Sequence, residues 1–159
     1  MPKRISINAL YASLLLGLST AAQSQNYGPP ITLQQARKVY AAAEAEASKN
    51  KWPVAIVILD SGCNPVLMQK ADNTQHAAPM VAQDKAWTAC AYRRSTKVLQ
   101  DALAKGGDNW RYLQFRGMVA GDGGLPIVVG GQIIGAIGVS GVAGNQDAEV
   151  AKAGASALQ

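Results

Sequence analysis

The chain has 159 residues, 48% of them hydrophobic and 16% charged, with a formal net charge of +5. Length and composition fit one globular domain that buries a core. The basic residues are scattered except for Arg93, Arg94 and Lys97, which read as a solvated helix face, so no nucleic-acid partner is expected.

In chain order, Lys3 and Arg4 precede an apolar run from Ile5 to Leu18 and then the small residues Ser19-Thr-Ala-Ala-Gln-Ser24. This is the layout of a secretory signal peptide over residues 1–24, cleaved after Ala21, Ala22 or Ser24. At about 14 residues the run is shorter than the roughly 20 needed to span a bilayer, so no membrane span is expected. Cleavage lowers the formal charge by two and sends a periplasmic or secreted chain into an oxidising compartment. There Cys63 and Cys90 are compatible with one bridge or with two buried thiols.

Residues 25–31 form an extended, poorly ordered arm, and the folded domain takes residues 32–159. Thr32 and Gln35 make a capping box, and Leu33, Ala36, Val39, Tyr40, Ala43 and Ala47 recur at helical spacing to about residue 49. Trp52-Pro53 ends that helix. Val54–Leu59 is a buried strand, Asp60–Pro65 a turn, and Val66–Lys70 the returning strand. A polar loop carrying His76, the sole histidine, closes at Pro79. A helix with a stripe of small residues follows, through Val81, Ala82, Ala86, Ala89 and Cys90.

Ser95 caps a further short helix ended by Gly106-Gly107, and Trp110–Phe115 alternates as a strand or an irregular covering segment. Ile127–Val129 and Ile133–Val139 flank Gly130-Gly131 as a buried hairpin, with Gly135 and Gly138 inside the second strand where a helix or a ligand approaches the backbone. Asn145 caps the last helix, with Asp147 and Glu149 in its first turn. The order predicts an α+β domain with an antiparallel sheet of about five strands flanked by helices. The second hairpin lacks the strand-loop-helix order of a dinucleotide cradle, and Walker loops, zinc-type Cys/His spacing and a Gly-x-Ser-x-Gly elbow are missing from the sequence.

Asp84-Lys-Ala-Trp-Thr-Ala89, Gly123-Gly-Leu-Pro126 and Gly135-Ala-Ile-Gly-Val-Ser-Gly141 followed by Gln146-Asp147 resemble the haem-binding family of HbpS and GlcG-type proteins. The C-terminal domain of PduO-type cobalamin adenosyltransferases shares its fold. The resemblance implies a profilin-like layout, homo-oligomers and haem as cofactor, which some members degrade. Fold follows from it more firmly than ligand does.

On that footing His76 is the candidate haem-iron ligand, set against a solvated loop histidine. Met80, four residues on, is a soft donor or core filler, as are Met68 and Met118. Tyr92, Trp110 and Tyr112 would stack on a porphyrin or cover the sheet, and Arg93, Arg94 and Arg116 would meet propionates. Lys85, in the Lys-Ala-x-Thr-Ala motif, would bind a carboxylate or act in catalysis, or else make a salt bridge to a neighbour of Asp84 or across an oligomer contact. Gly123 and Gly124 match family positions that border a pocket, and turn geometry alone also accounts for them. The expectation is an exported haem-binding protein that sequesters or carries haem and promotes its degradation. Alternatives are an enzyme on a small acidic or aromatic metabolite, with Lys85 and the glycine-lined hairpin as its pocket, and a non-catalytic oligomeric sensor or scaffold.

Overall fold

The computed structural model describes residues 26–159, so the signal-peptide reading of residues 1–24 lies outside the described residues. The elements are β1 (Asn26–Tyr27), α1 (Leu33–Lys49), β2 (Ala55–Asp60), β3 (Pro65–Lys70), α2 (Ala78–Ala91), α3 (Thr96–Ala104), a 3-10 helix (Gly107–Gln114), β4 (Gly124–Val129), β5 (Gln132–Ser140), α4 (Gly144–Ala155) and a terminal 3-10 turn (Ser156–Leu158).

The sheet is built around β5, which pairs antiparallel with β4 on one edge and with β2 on the other, while β3 closes the far side of β2. Gly130 and Gly131 both take positive φ, 58° and 77°, and turn β4 into β5. Where β2 stops opposite Gly135, β1 joins β5 in parallel, with Asn26 opposite Gln132 and Tyr27 opposite Ile133. The arm is therefore extended as expected but not loose. Its Gly28 and Ile31 amides donate to the Ile133 and Ile134 carbonyls, and the Tyr27 hydroxyl donates to the Cys90 carbonyl at 2.8 Å.

Strand β2 is apolar on both faces because both are covered. Ile56 and Ile58 join Val39, Ala43, Val150 and Ala151 in a core beneath α1 and α4, whereas Ala55, Val57 and Leu59 pack with Ala78, Ala82 and Ala86 of α2. A Cβ at Gly138 would lie 2.0 Å from the Ala82 carbonyl oxygen and 2.5 Å from the Ala86 amide. A packed helix, not a ligand, thus explains the glycine in this strand.

The expected capping box is present, with the Gln35 amide donating to Thr32 Oγ1 at 3.2 Å and the Thr32 amide to Gln35 Oε1 at 2.9 Å. Two local readings are corrected. Trp110–Phe115 is not a strand but mostly 3-10 helix, because Gly106 and Gly107 at positive φ redirect the chain and Asn109 Nδ2 donates back to the Gly106 carbonyl, local bonds that replace a ladder. The last helix starts at Gly144, so Asn145 lies inside it, and the Gln146 side chain accepts from the Ala143 amide in the capping role. Cys63 and Cys90 form a disulfide that ties the β2–β3 turn to the end of α2.

Candidate functional site

Helix α2 carries two contrasting groups of side chains. The first is buried. Small residues bring α2 onto β5, so the long Lys85 side chain runs under the Gly121–Gly124 turn to the start of α4. Its Nζ donates to Asp147 Oδ2 at 2.8 Å and to the Val139 carbonyl at 3.0 Å, while Asp147 Oδ1 accepts from the Val142 amide. Lys85 and Asp147 are only 5% and 2% exposed, which makes the pair internal to the core. Burial pushes the Asp147 carboxyl above its ordinary range, opposed by the Lys85 ammonium and the Val142 amide.

The glycines above the pair leave it room. A Cβ at Gly123, whose φ is 116°, would sit 3.0 Å from Lys85 Nζ and 2.7 Å from the Val139 carbonyl oxygen, and one at Gly124 would sit 2.4 Å from the Lys85 carbonyl oxygen. The Gly124 amide donates to Thr96 Oγ1 at 2.9 Å. Every polar group here has a partner within the chain, and Lys85 already holds the carboxylate expected of a ligand. Gly123 and Gly124 border packed protein in this arrangement.

The second group faces outward. Near the C-terminal end of α2, Trp87 meets Tyr92 edge-on at 6.0 Å, Tyr92 stacks on Phe115 at 6.0 Å and 15°, and Tyr112 meets Phe115 edge-on at 5.4 Å. The Phe115 amide and the Tyr92 hydroxyl anchor the segment, donating to the Tyr112 and Arg116 carbonyls. Trp110 and Leu113, on the same 3-10 segment as Tyr112, are 63% and 70% exposed. The Arg111 guanidinium lies 5.3 Å from the Tyr112 ring centroid, and Arg93 lies over Tyr27 at 5.8 Å. A cluster of aromatic rings with guanidinium groups beside it suits a planar ligand with acidic substituents.

The structure does not gather the candidate residues into one place. His76 just before α2 and Met80 in its first turn are both exposed, Met80 about 18 Å along the helix axis from Tyr92 at 1.5 Å per residue. Lys85, Gly123 and Gly124 form the buried junction between the two ends. Arg93, Tyr112 and Arg116 follow α2 or lie on the aromatic segment. Reasoning from sequence passed over Asp147 as the partner of Lys85, and over Trp87 and Phe115. Trp87 stands at the variable position of the Lys-Ala-x-Thr-Ala motif, and the spacing of Trp110, Tyr112 and Phe115 is the signal that marks the aromatic face. Among the described residues no three His, Cys, Asp or Glu side chains form a metal cluster.

Comparison with known proteins sets this arrangement in context. The family model described as haem degrading protein HbpS-like matches residues 31–156. Protein GlcG of Escherichia coli K12 is 39% identical over 110 residues, which is 69% of this chain and 81% of that protein. Among solved structures, a double mutant of Streptomyces reticuli HbpS superposes with a TM-score of 0.75 at 26% identity, covering 99% of both chains. A PduOC:haem complex superposes with a TM-score of 0.73 at 25% identity, covering 82% of this chain and 96% of that one.

Proposed function

The chain belongs to the HbpS-like family of haem-degrading proteins, and from that premise we propose that it is exported, binds haem and sequesters or carries it. The observation that carries this reading is the cluster of Trp87, Tyr92, Tyr112 and Phe115, with Trp87 and Phe115 exposed and the two tyrosines half-buried, beside Arg111 and with the exposed Arg116 next in sequence to Phe115. The residues fit the group. A porphyrin offers two flat apolar faces and anionic propionates, and this face offers rings for stacking and guanidinium groups for carboxylates. Of the two phenols on the face, Tyr92 donates to the Arg116 carbonyl and Tyr112 is the oxygen donor left for iron, while the His76 imidazole is the nitrogen donor at the other end of α2.

When bound, haem would supply redox-active iron, through which its own degradation is promoted. The chain's part is to hold the macrocycle against the rings and to neutralise its acids. The buried Lys85–Asp147 pair does not touch the ligand in this reading; it fixes α2 against β5 and α4.

Export is supported by the residue pattern at 1–24 and by the Cys63–Cys90 bridge, which suits an oxidising compartment. N-terminal sequencing of the secreted or periplasmic protein, with a first residue between 22 and 25, is the expected result. The exposed Trp87, Trp110, Leu113 and Phe115 also suit assembly into a homo-oligomer, which light scattering measures.

Haemin titration of the wild type beside Tyr112→Phe and His76→Ala tests ligand and site together. Saturable binding with a Soret band shifted from that of free haemin is expected, altered by Tyr112→Phe and unchanged by His76→Ala. An unshifted band without saturation in the wild type sinks the reading.

A further inference from the structure

A second concavity lies on the opposite face of the sheet from α2. Tyr40, Glu44 and Ser48 stand one helical turn apart along α1 and face Trp52, Gln69 and Ala71 across a cleft of about 100 Å³ floored by Ala47, Val54 and Ile56. The floor residues are 5%, 2% and 3% exposed, so the bottom of the cleft is dry and apolar. That volume equals about three waters' share of liquid, or a head group of a few non-hydrogen atoms.

The lining contains one formal charge, the Glu44 carboxylate, and no lysine, arginine or histidine, in a chain whose net charge is +5. Among the described residues Glu44 makes no ion pair, whereas its neighbour Glu46 is paired with Lys49. The one side-chain hydrogen bond Glu44 receives is from the Tyr40 hydroxyl, at 2.6 Å. Burial and that bond hold Tyr40 above the ordinary tyrosine range, so it remains a donor.

We propose that this cleft binds a small organic ammonium ion, its cationic head on Glu44 against the Tyr40 and Trp52 rings and its alkyl part on Val54 and Ile56. An anion would be repelled by the carboxylate, and a neutral alkyl group would gain nothing from it. A metal ion would find one carboxylate where it needs several donors. An alkylammonium satisfies both features, since tyrosine and tryptophan rings attract cations and an apolar floor accepts a chain of a few carbons. The site is separate from the aromatic face on α2, and its occupancy does not depend on haem.

Calorimetric titration of the haem-free folded protein with n-butylammonium chloride, with n-butanol and sodium butyrate as matched probes, decides the matter. The expected result is saturable binding of the ammonium alone in the millimolar range, weakened about tenfold in Glu44→Gln, a change worth about one charge-assisted contact. Glu44 is exposed, and an unchanged melting profile for Glu44→Gln confirms that the fold is kept. Absence of saturation, butanol binding as tightly as butylammonium, or equal binding by Glu44→Gln overturns the proposal.

Discussion

Lys85 and Trp87 stand two residues apart on α2 and face opposite environments. Lys85 is buried and its two polar contacts are closed within the chain by Asp147 and Val139, Asp147 in turn accepting from the Val142 amide. Trp87 is 36% exposed and opens a row of rings that continues into solvent through Tyr92, Phe115 and Tyr112. A buried charge with complete partners holds structure together, while unfinished apolar surface is where a ligand or a second copy gains by covering it.

Removing Lys85 breaks the contrast hardest. Lys85→Met leaves the Asp147 carboxylate buried without its counter-charge and is expected to cost about 3–5 kcal/mol in denaturant unfolding. Lys85→Met combined with Asp147→Leu should recover most of that loss, because both charges are then gone and apolar volume replaces them.

The pH dependence of Lys85→Met has a definite sign. Burial already raises the Asp147 carboxyl in the folded chain, and loss of the ammonium raises it further. The folded state then binds the proton more tightly than the unfolded state. Stability is therefore greatest below the ordinary carboxylate range and falls as pH rises through the raised folded value. The single variant should unfold more readily at pH 7 than at pH 4.5 relative to wild type; the reverse order in pH-dependent melting would contradict the burial argument.

Next in size is the bridge. Cys63→Ser with Cys90→Ser opens a link between residues 27 apart in sequence and should lower stability by about 2–4 kcal/mol. The smallest stability effects belong to the outward face. Leu113→Ser is expected to move stability by no more than about 0.5 kcal/mol, since its side chain is 70% exposed, yet to weaken haemin binding and any self-association. If Leu113→Ser unfolds the protein while Lys85→Met does not, the two regions have been assigned the wrong way round.

These regions differ in how legible they were. The hairpin of β4 and β5 could be read from Ile and Val runs around Gly130-Gly131, and the register then observed places Gly138 under α2, as a strand glycine requires. Asp147 was visible as a first-turn acid and as part of the motif set but not as the partner of Lys85, because helix periodicity says nothing of a lysine 62 residues away. The aromatic segment admitted both a strand and an irregular covering segment, since alternation over six residues cannot reveal that Gly106 and Gly107 turn the chain into a 3-10 helix. His76 stood out through its chemistry, but whether it shares a surface with Tyr112 is a question of tertiary geometry.

The local elements and the resemblance can be read from residue order alone, through the Thr32–Gln35 capping box, the apolar run Val54–Leu59, the paired glycines and the Lys-Ala-x-Thr-Ala motif. Those signals are short-ranged, set by steric preference and by hydrogen bonds a few residues apart. Only the tertiary structure decided that Lys85 meets Asp147, that Cys63 meets Cys90, that the N-terminal arm is tied along β5, and that His76 and Tyr112 lie toward opposite ends of α2. Each of these joins residues far apart in sequence. Such meetings are fixed by how helices stack on a sheet, which no local pattern encodes.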